Sequence, residues 1–121
     1  MSYDDNNIFA KILRGEIPCN KIYEDDYVLS FHDINPQKKI HALVIPKGKY
    51  IDLDDFSQNA SSEEMVGLLK GINTVAKKLG ISVDTGNGYR ALANISEDGG
   101  QEVPHLHFHL FGGEKIGKMV S

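Results

Sequence analysis

Cys19 is the only cysteine in this 121-residue chain, so no intrachain disulfide can form and the cysteine-rich zinc patterns are excluded. No apolar run approaches the roughly 18 residues that a membrane-spanning helix needs. Positive charge is scarce as well: 13 Lys and Arg against 17 Asp and Glu leave a net charge of −4. That balance argues against a generic binder of nucleic acid or of an anionic membrane. Any phosphate recognition must come from local geometry. The first residues, Met1 to Asn7, are polar and acidic, the opposite of a secretory signal. These absences lead us to expect a reduced, cytoplasmic setting, with Cys19 a small inert side chain beside Pro18. Internal repeats, linkers and low-complexity tracts are missing too, so residues 1–121 read as one domain.

What is present fits an ordinary globular protein, with 40% hydrophobic and 25% charged residues. Ile8, Phe9, Ile12 and Leu13 recur at helical spacing from about Asn7 to Arg14, with Gly15 as the stop. Two short strands, Lys21 to Glu24 and Val28 to Asp33, flank an acidic turn. His41-Ala42-Leu43-Val44-Ile45 is the most apolar strand, closed by Pro46. Residues 47–60 are polar and read mostly as loop. Ser61 and Glu64 form a capping box for a longer helix whose apolar stripe is Met65, Leu68, Leu69, Ile72, Val75, Ala76 and Leu79, ended by Gly80. A turn at Asp84 to Gly88 leads into a strand from about Tyr89 to Asn94. The expected class is α+β, an antiparallel sheet with two helices.

The chemistry concentrates in His105-Leu106-His107-Phe108-His109-Leu110-Phe111, which holds three of the five histidines at alternate positions. On a strand, alternate side chains share a face, so the imidazoles line up while Leu106, Phe108 and Leu110 face a core. Three readings compete for such a row. The histidines are hydrogen-bonded structural groups, or metal ligands, or a nucleophile with two helpers. Same-face positions lie about 6.5–7 Å apart, which is awkward for closing three imidazoles on one ion. Gly99-Gly100-Gln101 precedes the row, and glycine backbone can approach an anion closely, although a plain glycine turn explains the pair equally well. Asn94, at the end of the preceding strand, and His41, opening the apolar strand, can reach the same region. Lys38, Lys39, Lys47 and Lys49 read as solvated loop charges. His32 points opposite to Phe31 and Asp33, so no catalytic role is expected of it.

The row resembles the signature of the histidine triad family, His-φ-His-φ-His-φ-φ with φ apolar, at every position. Ile8 to Ile12, Glu16-Ile17-Pro18, Phe31 to Gln37, His41 to Lys47 and Gly99 to Val103 resemble its nucleotide-binding (Hint) branch in order and spacing; the match is loose only around residues 48–60. The resemblance implies a homodimer with a five-stranded antiparallel sheet and two helices. It implies hydrolysis of the P–N bond of purine nucleoside 5′-phosphoramidates through a nucleotidylated histidine, with no metal or other cofactor. By position, His107 would be the nucleophile, His105 and His109 its supports and phosphate holders, and His41 an extension of that network. Asn94, Gln101 and the backbone near Val103 would contact phosphate. Asp33 would hold the ribose hydroxyls, and Ile8, Phe9, Ile12, Ile17, Phe31 and Ile34 would wall the base.

The leaving amine must gain a proton, from an acid beside the row or from water. Glu102 stands where animal members carry a serine, as in bacterial-type members of the branch. The tail from Gly113 to Ser121 lacks the tryptophan-containing ending of the animal proteins; the chain has no tryptophan. His109 argues against the nucleotidyltransferase branch, which has glutamine at that position. A single cysteine cannot build the zinc finger of the DNA-end-processing branch. A dinucleoside polyphosphate hydrolase and a non-catalytic purine nucleotide-binding module stay as alternatives.

Overall fold

The computed structural model describes residues 2–120. The first helix, α1 (Ile8–Leu13), begins at Asn7, whose side chain accepts from the Ala10 amide and caps the free end. Its buried residues, Phe9 and Ala10, face the sheet. Five strands follow the hydrophobic runs: β1 (Lys21–Glu24), β2 (Val28–His32), β3 (Ile40–Pro46), β4 (Arg90–Leu92) and β5 (Phe108–Gly112). They form one sheet in the order β1-β2-β3-β5-β4, every neighbouring pair antiparallel. The α+β class and the five-stranded antiparallel sheet are as expected.

Two apolar layers sandwich that sheet. Val28, Ala42, Val44, Leu106 and Leu110 point to one face, where Leu68, Ile72 and Val75 of a long helix cover them. Leu29, Phe31, Leu43 and Ile45 point to the other and pack with Phe9 of α1. The period-two alternation of β2 and β3 therefore serves both faces, which is why β3 is buried almost throughout.

The long helix, α3 (Ser62–Lys78), starts with the expected capping box: Ser61 Oγ accepts from the Glu64 amide, and the Glu64 carboxylate accepts from the Ser61 amide. Replacing Ser61 with alanine is expected to cost about 1 kcal/mol, read as a lower urea midpoint with unchanged slope. The helix lies close to β2 because Gly71 faces Val28; a Cβ there would sit 2.8 Å from a Val28 methyl. Leu69 does not join the stripe and is 68% exposed. The narrower contact set of Leu68, Ile72, Val75 and Ala76 suffices against a twisted sheet, leaving Leu69 on the flank.

Three further expectations are corrected. Residues 47–60 are not mostly loop, because α2 (Leu53–Asn59) occupies half of them, giving three helices among the described residues rather than two. Asp52 caps α2 by accepting from the Asp55 amide, and Phe56 anchors it in the core against Tyr50. The strand after Gly88 is shorter than expected, and Asn94 lies beyond its end. The histidine row is only partly strand. Extending the β3–β5 register past Val44↔Phe108 would set Leu106 opposite Pro46, which has no N–H to give. The chain leaves the ladder there, and the Leu106 amide donates instead to the Tyr50 carbonyl. Among the described residues no helix is long and apolar enough to cross a membrane.

Candidate active site

His109 lies on β5 directly opposite Leu43, and His41 lies on β3 opposite Phe111. Antiparallel partners share a face, so both imidazoles lie on the α1 side of the sheet. His107 continues that face although it precedes the strand. Its ring centroid is 5.0 Å from that of His109, and the His41 and His109 centroids are 5.2 Å apart. Leu106 and Leu110 are fully buried on the opposite face. The alternation holds through the break in the ladder because backbone and side-chain bonds replace it.

Those bonds also assign the tautomers. Neutral imidazole has one N–H donor and one acceptor nitrogen, so a partner of known character at one nitrogen fixes the other. His105 Nε2 lies 2.8 Å from the Pro46 carbonyl and must donate to it, leaving Nδ1 as acceptor. The Tyr3 hydroxyl donates to it at 2.6 Å. His107 Nδ1 lies 2.8 Å from the His105 carbonyl and likewise carries the proton. His107 Nε2 is thereby the unprotonated nitrogen of that ring. His41 Nδ1 accepts from the Gln37 amide at 3.1 Å, so its Nε2 is the donor. That proton meets His109 Nδ1 at 2.9 Å, with the Asp33 carboxylate 3.4 Å away. His109 then carries its own proton on Nε2. A neutral N–H donor thus stands beside a neutral imidazole that keeps its lone pair.

Burial keeps the row neutral. Desolvation pushes His105 down to about 4, helped by neighbouring His107 and opposed by its bond to the Pro46 carbonyl. Desolvation also takes His109 to about 4, with His107 and His41 adding to the shift and Asp33 opposing it. His41 and His107 are lowered by burial too. The bond to the His105 carbonyl works against that fall at His107, as do the Asp33 and Glu102 carboxylates.

Asp33, His41 and His109 offer three possible metal-ligand atoms within 4.8 Å of one another. The His41 and His109 nitrogens face each other across a hydrogen bond, however, and share a proton rather than converging on a third point. This geometry suits a proton network better than an ion.

The remaining candidates divide. Phe9 and Phe31 meet edge to face at 5.6 Å, and Phe9 also meets the His107 ring at 4.9 Å, so these aromatics border the histidine row. Ile12 packs on the same cluster. Ile17 is half-buried. Ile8 is 43% exposed and Ile34 is 92% exposed, so this chain covers the first only in part and the second hardly at all. Asn94 is half-buried beyond β4.

Gln101 has another task in this structure. Its amide donates to the Ile51 and Val103 carbonyls and accepts from the Ser96 amide, so both of its protons hold the loop together. The Val103 carbonyl also accepts from the His105 amide, which seats the row on that loop. Gly99 is required by the turn itself, since a Cβ would lie 2.4 Å from the Ile95 carbonyl oxygen. Lys47 and Lys49 pair with Glu24 and Asp5, in keeping with their reading as surface charges.

Sequence reasoning missed three parts of this site. The Pro46 carbonyl and the Gln37 amide are backbone groups with no residue signature. Tyr3 lies in a polar segment 102 positions from its partner, and no local pattern marks it.

Known proteins share this architecture. The sequence profile of the HIT domain matches residues 14–116. A 13.2 kDa HIT-like protein of Azospirillum brasilense is 52% identical over 99% of this chain and 96% of its own length. The purine nucleoside phosphoramidase of Escherichia coli strain K12 is 40% identical over 97% of this chain and 95% of its own. Among solved structures, a HIT family hydrolase from Legionella pneumophila superposes with a TM-score of 0.84 at 38% identity, covering 96% of this chain and 100% of that one. With the triad motif, the sheet and these relatives in agreement, the chain belongs to the HIT domain family.

Proposed function

We propose that this chain is a purine nucleoside phosphoramidase, hydrolysing the P–N bond of nucleoside 5′-phosphoramidates to a nucleoside monophosphate and an amine. The observation that carries this reading is the tautomer of His107, whose Nδ1–H is committed to the His105 carbonyl so that Nε2 keeps its lone pair. His107 Nε2 attacks phosphorus, and the P–N bond breaks as the amine leaves with a proton. Glu102 or a water supplies that proton. Water then attacks phosphorus of the nucleotidylated histidine and gives up one proton, which replaces the proton supplied to the amine; the His107–phosphorus bond breaks and neutral His107 is restored. Charge on the nonbridging oxygens is met by the His109 Nε2–H, held in place through His41. The Asp33 carboxylate is suited to accept from ribose hydroxyls, and Phe9, Phe31, Ile8, Ile12, Ile17 and Ile34 to line the base. Asn94, Gln101, Glu102 and Val103 complete the phosphate side, with the Gln101 amide exchanging partners to do so.

We place the active form as a homodimer, consistent with β4 ending the sheet on an open edge, and its setting as cytoplasmic. Relatives named for hydrolysis and for phosphoramidase activity support the chemistry without specifying the amine.

A panel of adenosine and guanosine 5′-phosphoramidates, with intact-mass detection after rapid quenching, tests the reading. Release of AMP and GMP together with a nucleotidyl adduct is the expected result. Turnover of dinucleoside polyphosphates with no turnover of phosphoramidates would replace it with the polyphosphate-hydrolase alternative.

A further inference from the structure

The N-terminal segment contributes a side chain to the histidine network from outside the triad. Tyr3 donates its hydroxyl proton to His105 Nδ1 at 2.6 Å, and its ring meets the imidazole edge to face with centroids 5.6 Å apart. His105 is fully buried, so Tyr3 is the partner that spares its acceptor nitrogen an unsatisfied burial. The segment is built to hold this contact. Asp4 accepts from the Asn6 amide, the Asn7 side chain donates to the Asp4 carbonyl, and Arg14 donates to the Asp5 carbonyl. The Asp5 carboxylate meets Lys49 at 2.9 Å, tying the segment to the loop after β3. Phe9, two residues into α1, then packs edge to face on both His105 and His107.

We propose that Tyr3 is a positioning residue: its phenol fixes the ring and tautomer of His105, whose backbone carbonyl in turn aims His107. The chain of contacts is continuous. Tyr3 O–H donates to His105 Nδ1, His105 Nε2–H donates to the Pro46 carbonyl, and His107 Nδ1–H donates to the His105 carbonyl. Without the phenol, the Nδ1 lone pair of buried His105 loses the donor that satisfies it. The ring then gains by turning toward another donor, which loosens its hold on Pro46 and shifts the carbonyl that orders His107. Tyr3 touches no reacting atom, so its loss should change the reaction step more than substrate binding.

The inference rests on the phosphoramidase reading for its kinetic arm and stands apart from it in its spectroscopic arm. Tyr3→Phe keeps the ring contact and removes only the hydroxyl. Its expected effect is a fall in kcat of about 10- to 100-fold with KM changed less than about threefold, as for a misaimed nucleophile. Nitrogen-15 spectra of the imidazoles should show the His105 Nδ1 resonance moving to that of a free acceptor and the His107 Nδ1–H signal broadening. Asp5→Ala, which loosens the same segment but keeps the phenol, should retain wild-type kcat and histidine spectra.

Tyr3→Phe with wild-type kcat and unchanged His105 and His107 resonances would overturn the inference. So would an Asp5→Ala loss as large as that of Tyr3→Phe with the spectra of both variants unchanged. A wild-type protein that turns over no phosphoramidate would defeat the functional reading alone, and the spectra would still decide whether Tyr3 orders the two histidines.

Discussion

His107→Ala is expected to stop steady hydrolysis of adenosine 5′-phosphoramidate, lowering kcat by on the order of 10⁶-fold, the scale seen when a nucleophile is removed from an intact binding site. AMP should still bind within a few-fold of wild type, because the groups proposed to hold ribose and base all remain: Asp33 beside His41, and Phe9 and Phe31 in the cluster under α1. No nucleotidyl adduct should form, since the imidazole that would carry it is gone. The variant leaves the His105 carbonyl without its donor and removes a ring packed on Phe9, so some stability will be lost. AMP binding and a cooperative urea transition separate that loss from the chemical one. Turnover within about tenfold of wild type would place the nucleophile on another residue, with His109 the next to test. Equal inactivity of wild type and variant, with AMP bound by both, would instead favour a nucleotide-binding module without catalysis.

Much of this site was legible because β-sheet periodicity is local. Three histidines at alternate positions, with Leu106 and Phe108 between them and Leu110 after, can satisfy a core on one side and a site on the other in only one register. The capping box at Ser61 is legible for the same reason, since its two bonds span three residues. What stayed hidden depends on distance along the chain or on backbone atoms. The strand break before Phe108 follows from Pro46, some sixty positions earlier, and is visible only once the two strands are in register. α2 was hidden because one buried residue, Phe56, anchors an otherwise polar helix, so a hydrophobic pattern has almost nothing to detect; the cap at Asp52 was the available signal. Gln101 illustrates a different limit. Its residue type suits a phosphate contact, yet its amide protons are taken by Ile51 and Val103 in the fold. A position in a motif names a residue but not its partners.

Stability should rise with pH by roughly 2 kcal/mol per unit between about pH 4.5 and 6, the largest solution effect expected of this arrangement. His105 and His109 are held near 4 by burial, whereas an unfolded chain lets them titrate near 6.5. Between those values the unfolded state binds close to two more protons than the native one. Stability is therefore fully present above about pH 6.5 and is lost as pH falls toward 4, where the native histidines begin to accept protons. His41 and His107, also lowered, act in the same direction. Glu24, paired with Lys21 and Lys47 and held near 2, adds the same sign of effect only at lower pH, once unfolded glutamates protonate. Urea midpoints in half-unit pH steps measure the slope, and a slope below about 0.7 kcal/mol per unit, half a proton, would mean that the row ionises inside the native fold. The same neutrality bears on catalysis. Protonating His107 removes the lone pair that attacks phosphorus, so burial that makes the fold acid-labile also keeps the nucleophile available below its ordinary titration range. Activity assayed within seconds of a pH jump should therefore persist below pH 6.5, and fall only as the native histidines take up protons.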